Sequence, residues 1–549
     1  MIPPGINLWA PGAVMPTPII ITGDAVITAD GQSYLQSGPG PQTLEVNGTG
    51  NTLTASTDTA ADTLIVNGDL NTLRAGNGAD ILNAFGNANT LVGGAGNGQL
   101  LYAAGNESLL VGGTGRDQNL TVDGNDSVLI AQGSSSTLLA NGNNELLVAG
   151  KYGTHSLTVF GNDSQLIGGA GANTLTAYGN NNVLVVAGCD VYAILGSTWG
   201  CGPTTLKSAA VYRARADYVV DRAVDDIPEI ELPDEPSGCY SYSGTSCGSY
   251  SVSYLMQWSS SYQNYDFNRC VSGPDQALYL EGNDGVLVGG GKGSNTIAAM
   301  GNNNLLVAGD YGTQTLTLDG NDGTVIGGGS HGVLTVNGNR ATLQAGHSGL
   351  QQLSLNGNDG TMIGGGKHDI LEANGNNNTL YAGENGVHFL TVNGNDTRLI
   401  GGGGTNLMTA NGDGNLLEAG WGVNYLVDTG TSGTYRFARG DGRTTILNGS
   451  EGMGAANTLE FADIRANDLW LRQQGNDLRI DVRGSSQSVT LDDWFAAAHH
   501  ELAAIRTSDG GVLENGEVGA LVTAMAGSNP FYNMSNPTVQ NALAAAWDA

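Results

Sequence analysis

The stretch that decides the fold reads LTVNGND from Leu390 to Asp396, followed directly by TRLIGGGG from Thr397 to Gly404. Each half begins with a short apolar run of the kind that forms a strand. Each ends on glycine and asparagine, which tolerate the left-handed backbone of a tight turn. Together they make one coil with two short strands.

Outward from this stretch the same pattern, Leu-x-(Val/Ala/Leu)-x-Gly-(Asn/Asp), recurs along most of the chain. Its first residue falls at Leu64, Leu82, Leu101, Leu120, Leu138, Leu157 and Leu175, then at Leu278, Ile297, Leu316, Leu334, Leu353, Leu371, Leu390, Met408 and Leu426. Most steps are 18 or 19 residues. A fixed period with two strands per step predicts an all-β parallel β-solenoid, or β-roll, in which inward Leu, Val and Ile stack from coil to coil. Helices are excluded by the frequency of glycine.

A finer pattern sits at the residue two after the turn glycine. It reads Asp126, Asn144, Asp163, Asn181 and, after an interruption, Asp284, Asn303, Asp322, Arg340, Asp359, Asn377, Asp396, Gly414. Carboxylates in every coil would lie about 4.8 Å apart and repel by roughly 1 to 3.5 kcal/mol. Alternation doubles that spacing and interposes a hydrogen-bonding amide, giving a two-coil structural unit.

Composition agrees with a repetitive body. The 549 residues include 87 Gly and only 14 Pro, and 40% are hydrophobic. With 20 basic against 51 acidic residues the formal charge is −31, which argues against nucleic acid or an anionic membrane surface as partner. No run approaches the 18 apolar residues of a membrane-spanning helix. The N-terminal MIPPGINLWAPGAVMPTPIII lacks the basic and continuous apolar regions of a cleavable signal peptide.

The steps divide the chain into a cap or coupling arm (1–43), a first solenoid part (44–186), an insertion (187–277), a second solenoid part (278–429), a small β-rich domain (430–515) and a tail (516–549). All five cysteines, Cys189, Cys201, Cys239, Cys247 and Cys270, lie in the insertion. Their clustering in an irregular segment points to disulfides and an oxidising exterior. The same segment carries Trp199, Tyr240, Tyr242, Tyr250, Tyr254, Trp258 and Tyr262. These form either its own small core or a contact surface for a sugar or a neighbouring subunit.

Catalytic signatures are absent or out of context. Gly244-Thr-Ser-Cys-Gly248 matches the GxSxG elbow but lies in a Ser/Cys/Tyr-rich tract, with the nearest histidines, His155 and His331, in the solenoid. No HExxH occurs. Arg439-Gly440-Asp441 reads as turn chemistry. The expectation is a non-enzyme.

The nine-residue halves resemble the repeats-in-toxin (RTX, haemolysin-type) nonapeptide GGxGxDxUx. The best matches are Gly112-Gly-Thr-Gly-Arg-Asp117 and Ala75-Gly-Asn-Gly-Ala-Asp80-Ile-Leu82. YRFARGDGRTTI (Tyr435–Ile446) and SVTLDDWF (Ser488–Phe495) look like the β-rich domain that follows such repeats. GALVTAMAGSNPFYNMSNPTVQNALAAAWDA (Gly519–Ala549) is similar to the uncleaved tail read by type I secretion machinery. The resemblance implies export without an N-terminal signal and calcium as cofactor, at Asp80, Asp117 and Asp441. Against calcium along the rod, most turns carry Asn where the family keeps Asp, whereas calcium takes six to eight oxygens. Together these readings predict a secreted structural protein that self-assembles into a filament, surface layer or matrix, with open strand edges pairing end to end. A carbohydrate-binding adhesin is the second expectation and a polysaccharide-modifying enzyme the third.

Overall fold

The computed structural model describes residues 17–150, 152–169, 171–186, 275–290, 293–309, 311–346, 348–448, 456–496, 500–526 and 536–547. These residues are nearly all β and form a parallel β-solenoid of about 18 turns. They belong to two compact units, Met1–Pro274 and Asp275–Ala549. The insertion, with its five cysteines and seven singled-out aromatics, lies outside the described residues.

In the first unit each coil contributes one strand to a long-strand sheet and one to a short-strand sheet. The long strands, such as Ser135–Asn141, Thr154–Phe160 and Ala172–Tyr178, pair in parallel with no slip, Leu138 beside Leu157 beside Leu175. The short strands Leu109–Val111, Val128–Ile130 and Leu146–Val148 do the same. They are buried on both faces, which is why they read as unbroken apolar runs rather than alternating ones. Coils begin earlier than position 44: Ile19–Ile21 pairs in parallel with Ser33–Gln36, and Ala25–Thr28 with Thr43–Asn47. The described part of the expected cap is therefore solenoid.

The second unit repeats the plan. In both units the sixteen positions of the leucine column, from Leu64 to Leu426, are 0–1% exposed. Burying each such side chain stabilises by roughly 1.5–3 kcal/mol, and the identical register lets every coil use its neighbour's surface.

The turn glycines are required for space. A Cβ at Gly320, Gly338, Gly357 or Gly394 would stand 1.8–1.9 Å from the carbonyl oxygen of the glycine one coil earlier. Two residues on, the alternating column occupies the left-handed region, from Asp284 at φ 58° to Asp396 at φ 54°. There the amides act as expected: Asn303 Nδ2 donates to Asp284 Oδ1 at 2.7 Å, Asn377 Nδ2 to Asp359 Oδ1 at 3.2 Å, and Arg340 pairs with Asp322 at 2.6 Å. The alternation does not hold further toward the N-terminus, where Glu107 and Asp126 occupy this site in successive coils.

Between the glycine and this column runs an asparagine ladder. The side-chain oxygens of Asn283, Asn302, Asn321, Asn339, Asn358 and Asn376 each accept the main-chain N–H of the counterpart one coil on, at 2.7–2.9 Å. A turn N–H that the sheets cannot satisfy thus finds an acceptor.

The expected separate β-rich domain is instead the end of the solenoid. Thr434–Phe437 and Thr458–Phe461 continue the short-strand sheet, and Arg443–Asn448 and Ser488–Leu491 the long-strand sheet, all in parallel. The core swells to aromatic residues here, with Tyr435, Phe437, Phe461 and Trp494 buried. Then the direction reverses. Asp477–Val482 pairs antiparallel with Ser488–Leu491, Leu469–Gln474 pairs antiparallel with it in turn, and Val512–Glu514 pairs antiparallel with Ala504–Arg506. Helix α1 (Asn515–Met525) packs Val518, Leu521, Val522 and Met525 inward, and the Leu471 N–H donates to Met525 Sδ at 3.3 Å. Helix α2 (Pro537–Ala546), capped by Asn536 through the Thr538 N–H at 3.0 Å, packs on α1. A covered, antiparallel terminus does not offer the parallel edge that end-to-end pairing needs.

Candidate ligand-binding face of the second unit

In a strand of seven residues the odd positions face outward. On the long-strand sheet of the second unit, one outward column is largely apolar and the next is mixed. Register aligns Val333, Gln352, Ile370, Phe389, Leu407 and Tyr425 in one column, and Leu350, His368, Val387, Thr405, Val423 and Arg443 in the next. Ile370, Phe389, Val423 and Tyr425 are exposed. Neighbours in a column lie about 4.8 Å apart, so the side chains form a stripe along the sheet.

The stripe runs into a cleft of about 340 Å³. Its floor is made by Gly404, Gly422 and Gly442, stacked so closely that a Cβ on Gly442 would stand 1.6 Å from the Gly422 carbonyl oxygen. Around the floor stand Trp421, Asp441, Arg443, Ser486 and Gln487. Trp421 is 61% exposed, and the benzo edge of its indole lies over Gly403 one coil earlier, where a Cβ would be 2.3 Å from Cζ2. Gln487 is fixed by its Nε2, which donates to the carbonyl oxygens of Asp441 (2.7 Å) and Ala438 (3.4 Å). Asp441 Oδ2 accepts the Ala438 N–H at 2.7 Å. Burial, then the charges of Asp463 and Glu418, push the Asp441 carboxyl up to about 6. Arg443 is exposed and makes no ion pair among the described residues.

No model of a known protein family matches this chain.

The expected calcium residues stand in different settings. Asp80 is buried in the first unit, and its carboxylate accepts the N–H groups of Asp62 at 2.9 Å and Gly76 at 2.6 Å. Burial pushes its pKa up, opposed by those hydrogen bonds. Asp117 is exposed on a turn at φ 57°. The two motifs are out of register by one: Leu82 aligns with Leu101 and Leu101 with Leu120, so Gln118 and not Asp117 takes the inward place of Asp80. Asp441 lies in the cleft of the second unit. Among the described residues no group of three or more His, Cys, Asp or Glu converges as a metal site. Both oxygens of Asp80 face amide donors, the opposite polarity to that which a cation needs, so Asp80 does not fit the ion the resemblance implies. Asp80→Asn should therefore lower stability by about 1–3 kcal/mol through a mismatched buried amide. The loss, read from thermal unfolding, should be equal in calcium and in chelator.

Sequence reasoning missed Trp421, Phe389 and Tyr425 because a single outward aromatic looks like any surface residue until register aligns it with its neighbours. It also missed a buried polar column on the inner side of the same strands. Register places Gln351, Asp369, His388, Asn406 and Asn424 in one row, all buried. Gln351 Nε2 donates to the Ser348 carbonyl oxygen at 2.7 Å, and Asn424 Nδ2 to that of Gly420 at 2.7 Å. Asp369 Oδ1 accepts the Gly366 N–H at 3.0 Å. This column pins the glycine corners to the core.

Proposed function

We propose that the chain is an exported, extracellular structural protein without catalytic activity, which associates side by side through the apolar stripe of its second unit. The observation that carries this reading is the alignment of exposed Ile370, Phe389 and Tyr425 with Leu407 on one face. Contiguous exposed apolar surface of this kind is the usual mark of a protein contact. The covered C-terminal end supports lateral over end-to-end contact in this reading. Export by type I secretion rests on the similarity of the tail to such signals. In the same reading the cysteine-rich insertion is stapled by disulfides in an oxidising exterior and supplies a further contact.

Sedimentation velocity and electron microscopy of the full chain test the proposal. Wild-type protein should form larger species as concentration rises, and more readily as salt screens the −31 charge. Phe389→Glu, which places a carboxylate at the centre of the stripe, should keep the protein monomeric without lowering its melting temperature. Wild-type particles that stay monomeric up to the solubility limit, at both low and high salt, would overturn the reading.

A further inference from the structure

The cleft beside the stripe has a different character from the stripe itself. A self-associating apolar face has no need of a guanidinium, a fixed amide and a carboxyl placed around a floor without side chains. Three features point to a small polar ligand. First, Trp421 is three-fifths exposed on the cleft wall, and Gly403 leaves room for its ring. An indole in the wall of a polar cleft offers an apolar surface to the C–H side of a sugar ring. Second, Arg443 makes no ion pair among the described residues, although acidic side chains outnumber basic ones by 51 to 20. Arg398, Arg436, Arg439, Arg472 and Arg479 of the same unit are paired; Arg465 and Arg506 also make no ion pair among the described residues, but neither lines the cleft. An unpaired guanidinium at a cleft wall is a planar fork suited to a carboxylate. Third, Gln487 spends its Nε2 on two carbonyl oxygens, so its orientation is set before any ligand arrives and its Oε1 is left to accept a hydroxyl. The volume of about 340 Å³ lies at the small end of ligand pockets, roughly 300–1,000 Å³.

We infer that the cleft between Trp421 and Arg443 binds a uronic acid residue of an acidic polysaccharide. The pyranose ring lies against Trp421, its carboxylate meets Arg443, and its hydroxyls reach Gln487, Ser486 and the Asp441 carboxyl. The class follows from the groups present. A neutral sugar would leave the guanidinium without a partner, and a phosphate or sulfate alone would leave the indole without one. The net charge of the chain opposes anionic ligands at long range. At a Debye length of about 8 Å, near 0.15 M salt, the local contact decides instead. This site does not depend on the lateral association proposed above.

Calorimetric titration of the full chain with trimers of galacturonate, glucuronate and mannuronate, and with the matching neutral trimers, provides the test. At least one uronate trimer should bind, about tenfold or more tightly than its neutral counterpart. Trp421→Ala should weaken that binding about tenfold or more. Arg443→Gln should remove most of the preference for the acidic trimer while the neutral one is unaffected. Phe389→Glu should bind the acidic trimer like wild type, which separates failure here from failure of the assembly. Absence of binding by all three uronates, equal affinity for acidic and neutral trimers, or uronate binding that survives Trp421→Ala would each overturn the inference.

Discussion

Replacing Gly338 with alanine is expected to unfold the coils on either side of it and to cost on the order of 4 kcal/mol or more, the range reached only by severe steric or cavity defects. The cause is space. The backbone of Gly338 is outside the left-handed region, so alanine meets no conformational penalty there. Its Cβ, however, would stand 1.9 Å from the Gly320 carbonyl oxygen and 2.5 Å from the Gly320 carbonyl carbon. The chain cannot back away cheaply, because the Gly320 N–H donates to Asn337 and the Gly338 N–H to Asn356, both at 3.0 Å, and these bonds hold three coils at fixed spacing. Gly475 makes the opposite control. It sits in a hairpin at φ 67°, and a Cβ added there would meet nothing within 4 Å, so Gly475→Ala should cost only the roughly 1–2 kcal/mol of a left-handed alanine. Thermal unfolding with amide exchange checks both. Comparable losses for the two variants would show that the coils relax around the added Cβ and that room is not what Gly338 provides.

That contrast also marks what the sequence could and could not tell. Glycine at one place in every coil, and leucine four residues before it, are legible because stacking imposes the same demand on each repeat. The period therefore yields the strands, the core column and the turn. It also aligns the residues just before that leucine, Val333 to Tyr425, but a linear reading does not tell which outward row the fold leaves exposed. A slip of one position reverses inside and outside, which is how Asp117, exposed on its turn, came to be paired with Asp80, buried in the core. The end of the solenoid was obscured for a related reason. Between Leu469 and Val482 the direction reverses while Asp477–Val482 keeps the alternation of the coils, and alternation carries no sign of direction. Trp421 stands where Gly403 does one coil earlier, and the preceding aromatic in its column is Tyr311, six coils before, so periodicity did not point to the cleft.

The asparagine ladder and the inner polar column answer the same physical problem at two depths. Tight corners leave main-chain groups that neither sheet can pair. Side-chain amides pair them, Asn on the outer ladder and Gln or Asn on the inner column, with oxygens for N–H donors and NH₂ groups for carbonyls. An amide supplies both polarities without net charge, so it stacks in every coil, whereas carboxylates stack only when spaced or capped.

The inner column departs from amides at one place, and there the second large effect is expected. Asp369 and His388 face each other in successive coils, with Oδ2 and Nδ1 2.9 Å apart and both side chains 0% exposed. The contact is close but not aligned as a hydrogen bond, and no hydrogen-bonding partner for His388 Nε2 is found among the described residues. Removing one partner leaves the other in a dry interior, which typically costs about 3–5 kcal/mol, while an apolar pair of similar volume is often neutral or better. His388→Leu alone and Asp369→Leu alone should therefore each lower the melting temperature by on the order of 10 °C. The double replacement should restore much of that loss, giving a coupling of about 2 kcal/mol or more in a double-mutant cycle. The damage should also be local, because each coil touches only its neighbours. Amide exchange should accelerate between about Gln351 and Asn406 and leave the first unit protected. Losses that simply add in the double variant would mean that the two residues act on the corners separately, Asp369 through the Gly366 N–H, and not as a pair.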